Sequence, residues 1–146
     1  MKLRHLPLLL TLFSNLALAD PAATRQPVPM PSAAQEALRE EMLMKLQAVY
    51  SAEAAIAAGK PADAAEQVER YLGISAMGLH RKLLPEARPG MHMPDAMHAL
   101  GRQSHQNGSE LAAALKSGDR PRIDAALRDL LGTCVACHST YRLPAH

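Results

Sequence analysis

The stretch that decides the fold is Cys134-Val135-Ala136-Cys137-His138, near the C-terminus of this 146-residue chain. It contains the only two cysteines of the sequence, and a histidine directly follows the second. On a helix, residues i, i+3 and i+4 lie on one face. The C-x-x-C-H pattern is typical of c-type haem attachment, in which two thioethers hold the vinyl edges of a porphyrin and the histidine binds its iron. The motif therefore predicts one covalently attached haem c, held by Cys134 and Cys137, with His138 as an axial ligand.

Three other interpretations of the two cysteines stay open on the sequence alone. A redox C-x-x-C motif would need a strand-helix-strand setting, and no strand pattern precedes this one. A structural zinc site normally needs four protein ligands, and the chain has no second cysteine pair. A disulfide between residues three apart on a helix has poor geometry. Each of these is a weaker prediction than haem attachment.

The N-terminus has the features of an export signal. Lys2 and Arg4 precede an apolar run from residue 6 to 12, and Ala17-Leu18-Ala19 is an A-x-A cleavage site. We expect residues 1–19 to be removed and the mature protein to be periplasmic, without a membrane span, because the run is too short to cross a bilayer. Removing Lys2 and Arg4 from the 16 basic residues leaves 14, equal to the 14 acidic residues. This balance argues against a nucleic-acid partner.

The rest of the chain is predicted to be a flexible leader, residues 20–31, followed by one all-α domain, residues 32–146. The leader is rich in proline, and the domain shows no period-2 alternation typical of strands. Short connections between helices predict an antiparallel four-helix bundle, which can hold a cofactor between facing helices. The predicted helices run from residue 32 to about 58, from 61 to 84, from 94 to about 116 and from about 119 to 144.

The C-terminal motif, followed by Tyr141-Arg142 on the fourth helix of a bundle, resembles the class II cytochromes c, the cytochrome c-prime family. The resemblance covers residues 32–142, and the run from Cys134 to Arg142 is its most specific part. Class I cytochromes c differ, because their motif lies near the N-terminus and a Met ligand follows it. Here nine residues follow Cys137 and none is Met. The resemblance implies that His138 is the proximal ligand and that Arg142, four residues later on the same helix, contacts the haem.

The resemblance also implies that the first helix decides the sixth coordination position of the iron. A methionine there gives a low-spin electron carrier, whereas an apolar side chain leaves a five-coordinate iron that binds nitric oxide or carbon monoxide. Met42 lies on a predicted apolar stripe, so it is the candidate ligand, although such a methionine is also ordinary core packing. Leu43 is the candidate blocking residue, and Met44 lies on another face. The other members of the stripe are Leu38, Leu46, Val49 and Ile56.

Electron transfer with His138 and Met42 as axial ligands is therefore the favoured function, and five-coordinate gas binding is the alternative. The expected partner is a soluble or membrane-bound redox protein. The resemblance also implies a homodimer through the first two helices, where small residues at Ala54, Ala55 and Ala58 would permit close approach. The sequence shows no nucleophile and base pair, so we expect no enzymatic activity.

A second group of methionines and histidines lies in the loop before the third predicted helix and at the start of that helix. Thioether and imidazole groups together suit copper. The favoured interpretation is nevertheless that the methionines pack and the histidines are exposed. The group contains Met91, His92, Met93, Met97 and His98.

Overall fold

The computed structural model describes residues 24–144, and these form four α-helices and a two-stranded parallel ribbon. The predicted all-α four-helix bundle is confirmed. The predicted signal sequence lies outside the described residues. Within residues 24–144, the helices are too short or too polar to cross a membrane. The elements are β1 (Gln26–Pro27), α1 (Ser32–Ala57), α2 (Ala65–Leu72), α3 (Asp95–Ser117), α4 (Arg120–Thr140) and β2 (Tyr141–Arg142).

Glycine ends two of the helices where the sequence predicts it. After α1, Gly59 has a φ of 70°, and the Lys60 N–H donates to the Ala55 carbonyl at 2.9 Å. This 6→1 bond belongs to the Schellman motif, in which a left-handed glycine reverses the chain. Gly118 ends α3 with the same φ, and the side chain of Asp119 then caps α4. These local signals fix three of the eight helix ends.

The second helix is shorter than the sequence predicts, because α2 ends at Leu72 rather than at residue 84. The Nδ1–H of His105 donates to the carbonyls of Leu72 and Gly73, at 3.1 and 3.0 Å. Glu69 accepts a hydrogen bond from the backbone N–H of Ser75 at 3.1 Å. These side chains thus form hydrogen bonds with backbone groups that a longer helix would need for its own hydrogen bonds. Residues 73–94 instead form short 3₁₀ turns at Ile74–Ala76, Pro85–Ala87 and Pro89–Met91.

A glycine allows α3 to approach the end of α2. Gly108 is buried, and a Cβ atom there would overlap the backbone carbonyl of Leu72. We expect Gly108→Ala to lower the free energy of unfolding by about 1–3 kcal/mol, because the two backbones must separate. Gly101, on the same helix with open space around it, is the matched control. Gly101→Ala should stabilise by up to about 1 kcal/mol. Denaturant unfolding measures both, and equal stability of the two variants would contradict the packing.

The helices pack unevenly. α3 packs along α4 and also against α2, and α2 packs against α1. By contrast, α1 and α4 have little close backbone contact within the described residues. The haem-motif helix is therefore covered by α3 on one side and separated from α1 on the other.

The core is divided into two apolar clusters along the bundle axis. The first cluster joins the C-terminal half of α1 to α2, the end of α3 and the start of α4; its largest members are Val68, Leu72, Leu111, Leu115, Ile123 and Leu130. The second cluster lies at the other end of the bundle, and its buried members are Val28, Met30, Ala34, Leu38, Met97 and Tyr141. The cysteines of α4 lie where the two clusters meet, because Leu130 belongs to the first cluster and Cys137 packs against the second.

Residues 26–30 differ from the predicted flexible leader. Gln26 pairs with Tyr141 and Pro27 pairs with Arg142, as β1 and β2. Val28 is 1% exposed and belongs to the second cluster. Apolar burial next to the C-terminus therefore orders this segment despite its prolines.

Candidate haem-attachment site

Cys134 and Cys137 lie one turn apart near the C-terminal end of α4. Both are free thiols and both are half-buried. Burial raises the pKa of both thiols, although the positive charge of Lys45 acts in the opposite direction. Because the charge that acts on both thiols comes from α1, this helix faces the motif across the bundle.

These properties weaken the alternative interpretations of the motif. Redox-active C-x-x-C motifs carry a cysteine whose pKa is lowered, and here both pKa values are raised. No three His, Cys, Asp or Glu side chains within residues 24–144 are grouped so as to hold a metal ion, which leaves the zinc interpretation without support. The two thiols are also not joined to each other.

His138 is in the last turn of α4, directly after Cys137. The residue is exposed, and its ring makes no hydrogen bond to another described residue. Its backbone carbonyl accepts a hydrogen bond from Nη1 of Arg25 at 3.2 Å. The imidazole is thus open to an axial ligand role.

Of the three candidates on α1, Met42 is the one that packs against an apolar cluster. Met42 is half-buried and packs on the second cluster together with Cys137. Leu43 is 56% exposed and belongs to neither cluster. Met44 is half-buried but is also outside both clusters. Of the three, Met42 is therefore the residue that packs against the same cluster as a cysteine of the motif.

The inner face of α1 includes four of the five residues of the predicted stripe, because Leu38 is buried and Met42, Val49 and Ile56 pack against the two clusters. Its centre runs through the buried residues Ala34, Leu38, Ala48 and Ala52, whereas Leu46 is 65% exposed. Helical spacing places residues 41 and 45 on this same face. The predicted stripe omits these two residues because it contains only large apolar side chains. The regular spacing of Leu38 and the buried alanines would have indicated that residues 41 and 45 face the interior.

Glu41 and Lys45 form part of a polar layer between the two apolar clusters. We define the polar layer as Glu41, Lys45, His80 and His105. Glu41 contacts Nζ of Lys45 at 2.8 Å and Nε2 of His80 at 3.1 Å. The side chains of Glu41 and Lys45 are only 18% and 15% exposed. Charged and polar groups thus occupy the interior at the level of the cysteines.

The polar layer sets the protonation of its members. Burial alone would raise the pKa of Glu41, but the charge and hydrogen bond of Lys45, aided by His80 and His105, hold it below its usual value. Burial lowers the pKa of His105, and Lys45 lowers it further, whereas Glu41 and the carbonyls of α2 act in the opposite direction. Glu41 is therefore ionised and His105 neutral near pH 7.

His105 should make stability depend on pH. Because its folded pKa is below the usual value of 6.5, the stabilisation from neutral His105 is present above that pH and is lost as the pH falls. We expect His105→Ala to lower the free energy of unfolding by about 1–3 kcal/mol at pH 7.5, since two carbonyls lose their donor. The difference from wild type should shrink on acidification. Denaturant unfolding at several pH values measures this, with exposed His98→Ala on the same helix as control. A constant difference at all pH values would contradict the assignment.

The residues at this level fit a c-type haem. Two thiols and an adjacent imidazole lie on α4, and a methionine thioether lies on the facing helix. Cytochromes c attach the haem through two cysteine thiols and ligate its iron with a histidine and a methionine. Apolar clusters flank the level on both sides, and little backbone contact closes the space between α1 and α4.

The structure places Arg142 differently from the sequence prediction. Because α4 ends at Thr140, Arg142 is in β2 and does not share a helical face with His138. Its Nε donates to the backbone carbonyl of Arg25 at 3.2 Å. The helical argument for a haem contact by Arg142 is therefore wrong. Tyr141 is 8% exposed in the second cluster, as the packing interpretation expects.

Most side chains of the methionine and histidine group have partners within the protein. Met97 is buried in the second cluster and Met93 packs on it. Nε2 of His92 bonds the Glu86 carbonyl at 3.0 Å, and Nε2 of His98 bonds the Gly90 carbonyl at 3.0 Å. Packing and backbone hydrogen bonds account for four of the five side chains, whereas Met91 is 65% exposed.

Comparison with known proteins identifies the family. The sequence model of the family described as Cytochrome C' matches residues 36–142, which include α1 from its second turn, all of α2, α3 and α4, and the C-x-x-C-H motif. Comparison with curated proteins and with solved structures gave no significant match. The chain therefore belongs to the cytochrome c' family, and this membership implies a covalently attached c-type haem.

Proposed function

We propose that this protein is an exported electron carrier with a single haem attached through Cys134 and Cys137. His138 is the proximal ligand of the iron, and Met42 is the sixth ligand. The observation that carries the proposal is that Met42, on α1, and Cys137, on α4, pack against the same apolar cluster.

The surroundings of the site support an electron-transfer role. When bound, the haem supplies a one-electron redox centre. Methionine as an axial ligand raises the reduction potential of a haem. Leu43 is exposed, so it is a poor candidate for the apolar residue that would block the iron. His138 lies at the surface, where a redox partner can approach it.

Export to the periplasm, carriage of electrons rather than catalysis, and a soluble or membrane-bound redox partner belong to the same proposal. So does a homodimer through α1 and α2, as in relatives that pair through these helices. Ala54 and Ala58 are exposed on and directly after α1, as close approach of a second copy requires.

The optical spectrum of the holoprotein separates electron transfer from gas binding. The proposal predicts low-spin spectra in both oxidation states, a weak methionine-to-iron charge-transfer band in the ferric form, and slow binding of carbon monoxide to the ferrous form. A high-spin ferrous protein that binds carbon monoxide readily would instead establish the five-coordinate alternative.

A further inference from the structure

The residues just before α1 hold the end of the haem-motif helix. Nη1 of Arg25 donates to the carbonyl of His138 at 3.2 Å. The last four carbonyls of a helix have no partner within it, and His138 provides one of them. The guanidinium also places a positive charge at the negative end of the α4 dipole. Arg25 thus fixes the backbone of the residue that we assign as proximal ligand.

The contact is reciprocal. Nε of Arg142 donates to the Arg25 carbonyl at 3.2 Å, and the Val28 N–H donates to the Arg142 carbonyl at 2.9 Å. The parallel pairing of β1 with β2 lies between these bonds. The segment is therefore tied to the chain on the C-terminal side of His138 as well as to His138 itself.

Apolar burial holds the same segment in place. Val28 is 1% exposed and Met30 is 8% exposed, and both lie in the cluster that includes Cys137. We name residues 25–30 the N-terminal strap. The strap lies before residue 36, where the match to the cytochrome c' family begins. Family membership therefore does not account for it.

We propose that the N-terminal strap positions the proximal ligand, with Arg25 as its positioning residue. Arg25 orients the last turn of α4 and keeps a permanent positive charge beside His138. A nearby cation disfavours the ferric iron, which carries one more positive charge than the ferrous iron. The strap therefore raises the reduction potential and fixes the orientation of the imidazole. This inference rests on the proposed function only in that His138 must ligate the iron.

Arg25→Gln in the exported holoprotein tests the proposal. We expect a lower reduction potential and a changed electron paramagnetic resonance spectrum of the ferric iron, because the charge and the guanidinium bond are lost. Arg120→Gln is the matched control, since Arg120 is at the other end of α4 and pairs with Asp124 at the surface. The control should leave the potential and the iron spectrum unchanged.

Two further variants separate charge from position. Arg25→Lys keeps the charge and should retain most of the potential. Val28→Ala keeps Arg25 but loosens the strap, so it should change the iron spectrum in the same direction as Arg25→Gln. These variants also carry the test if Arg25→Gln does not fold.

The outcomes are distinct. If Arg25→Gln or Val28→Ala lowers the melting temperature but leaves the potential and the iron spectrum at wild-type values, the strap is only a helix cap and the proposal is wrong. A wild-type protein without haem would overturn the proposed function instead.

Discussion

Replacement of both Cys134 and Cys137 with alanine is expected to abolish covalent haem attachment completely. The two thiols are the only cysteines of the chain, so no other residue can form the thioethers. Both lie half-buried on one helix at the level where the apolar core is interrupted. Haem staining of the denatured protein measures the loss. Val135→Ala is the matched control, because Val135 lies between the cysteines but is 66% exposed.

The same double variant should also be destabilised. Between the two apolar clusters the interior holds the polar layer, which has no large apolar side chain to replace a cofactor. We expect the melting temperature to fall well below that of wild type, whereas Val135→Ala should remain near it. A double variant that keeps haem after denaturation would contradict the assignment of the motif.

The second large effect is expected for Met42→Ala. Loss of the thioether should convert a low-spin protein into a high-spin one, remove the charge-transfer band and lower the reduction potential. Carbon monoxide should then bind the ferrous form rapidly. Optical and electron paramagnetic resonance spectra measure the conversion.

Neighbouring residues on α1 provide matched controls for this variant. Met44→Ala removes a half-buried methionine outside both clusters, and Leu43→Ala removes an exposed side chain. Both should keep the low-spin spectrum. If Met44→Ala abolishes it while Met42→Ala does not, Met44 is the ligand and the assignment of Met42 is wrong.

Local signals were sufficient to predict the family and most of the architecture. These signals affect only the residues next to them in the sequence. They are the C-x-x-C-H motif, the glycines after α1 and α3 and the proline before α3. Their positions in the sequence therefore predict the haem motif on the fourth helix and three helix ends, namely the end of α1 and both ends of α3.

The failures have non-local causes. α2 ends early because His105, on α3, takes two carbonyls that lie more than thirty positions away along the chain. Arg25 bonds the carbonyl of His138 across 113 positions, so no local pattern predicts the N-terminal strap. The interior position of Glu41 and Lys45 also cannot be predicted from the spacing of apolar residues, because both residues are charged. Pairing with each other and with His80 offsets part of the cost of burying them.

The proposed function requires that one haem is covalently bonded to Cys134 and Cys137. The most direct test is the intact mass of the exported protein under denaturing conditions, followed by mass spectrometry of the peptide that contains both cysteines. We predict the mass of the mature chain plus one haem, with the added mass on that peptide. A chain of unmodified mass after expression with the haem-attachment machinery would contradict it.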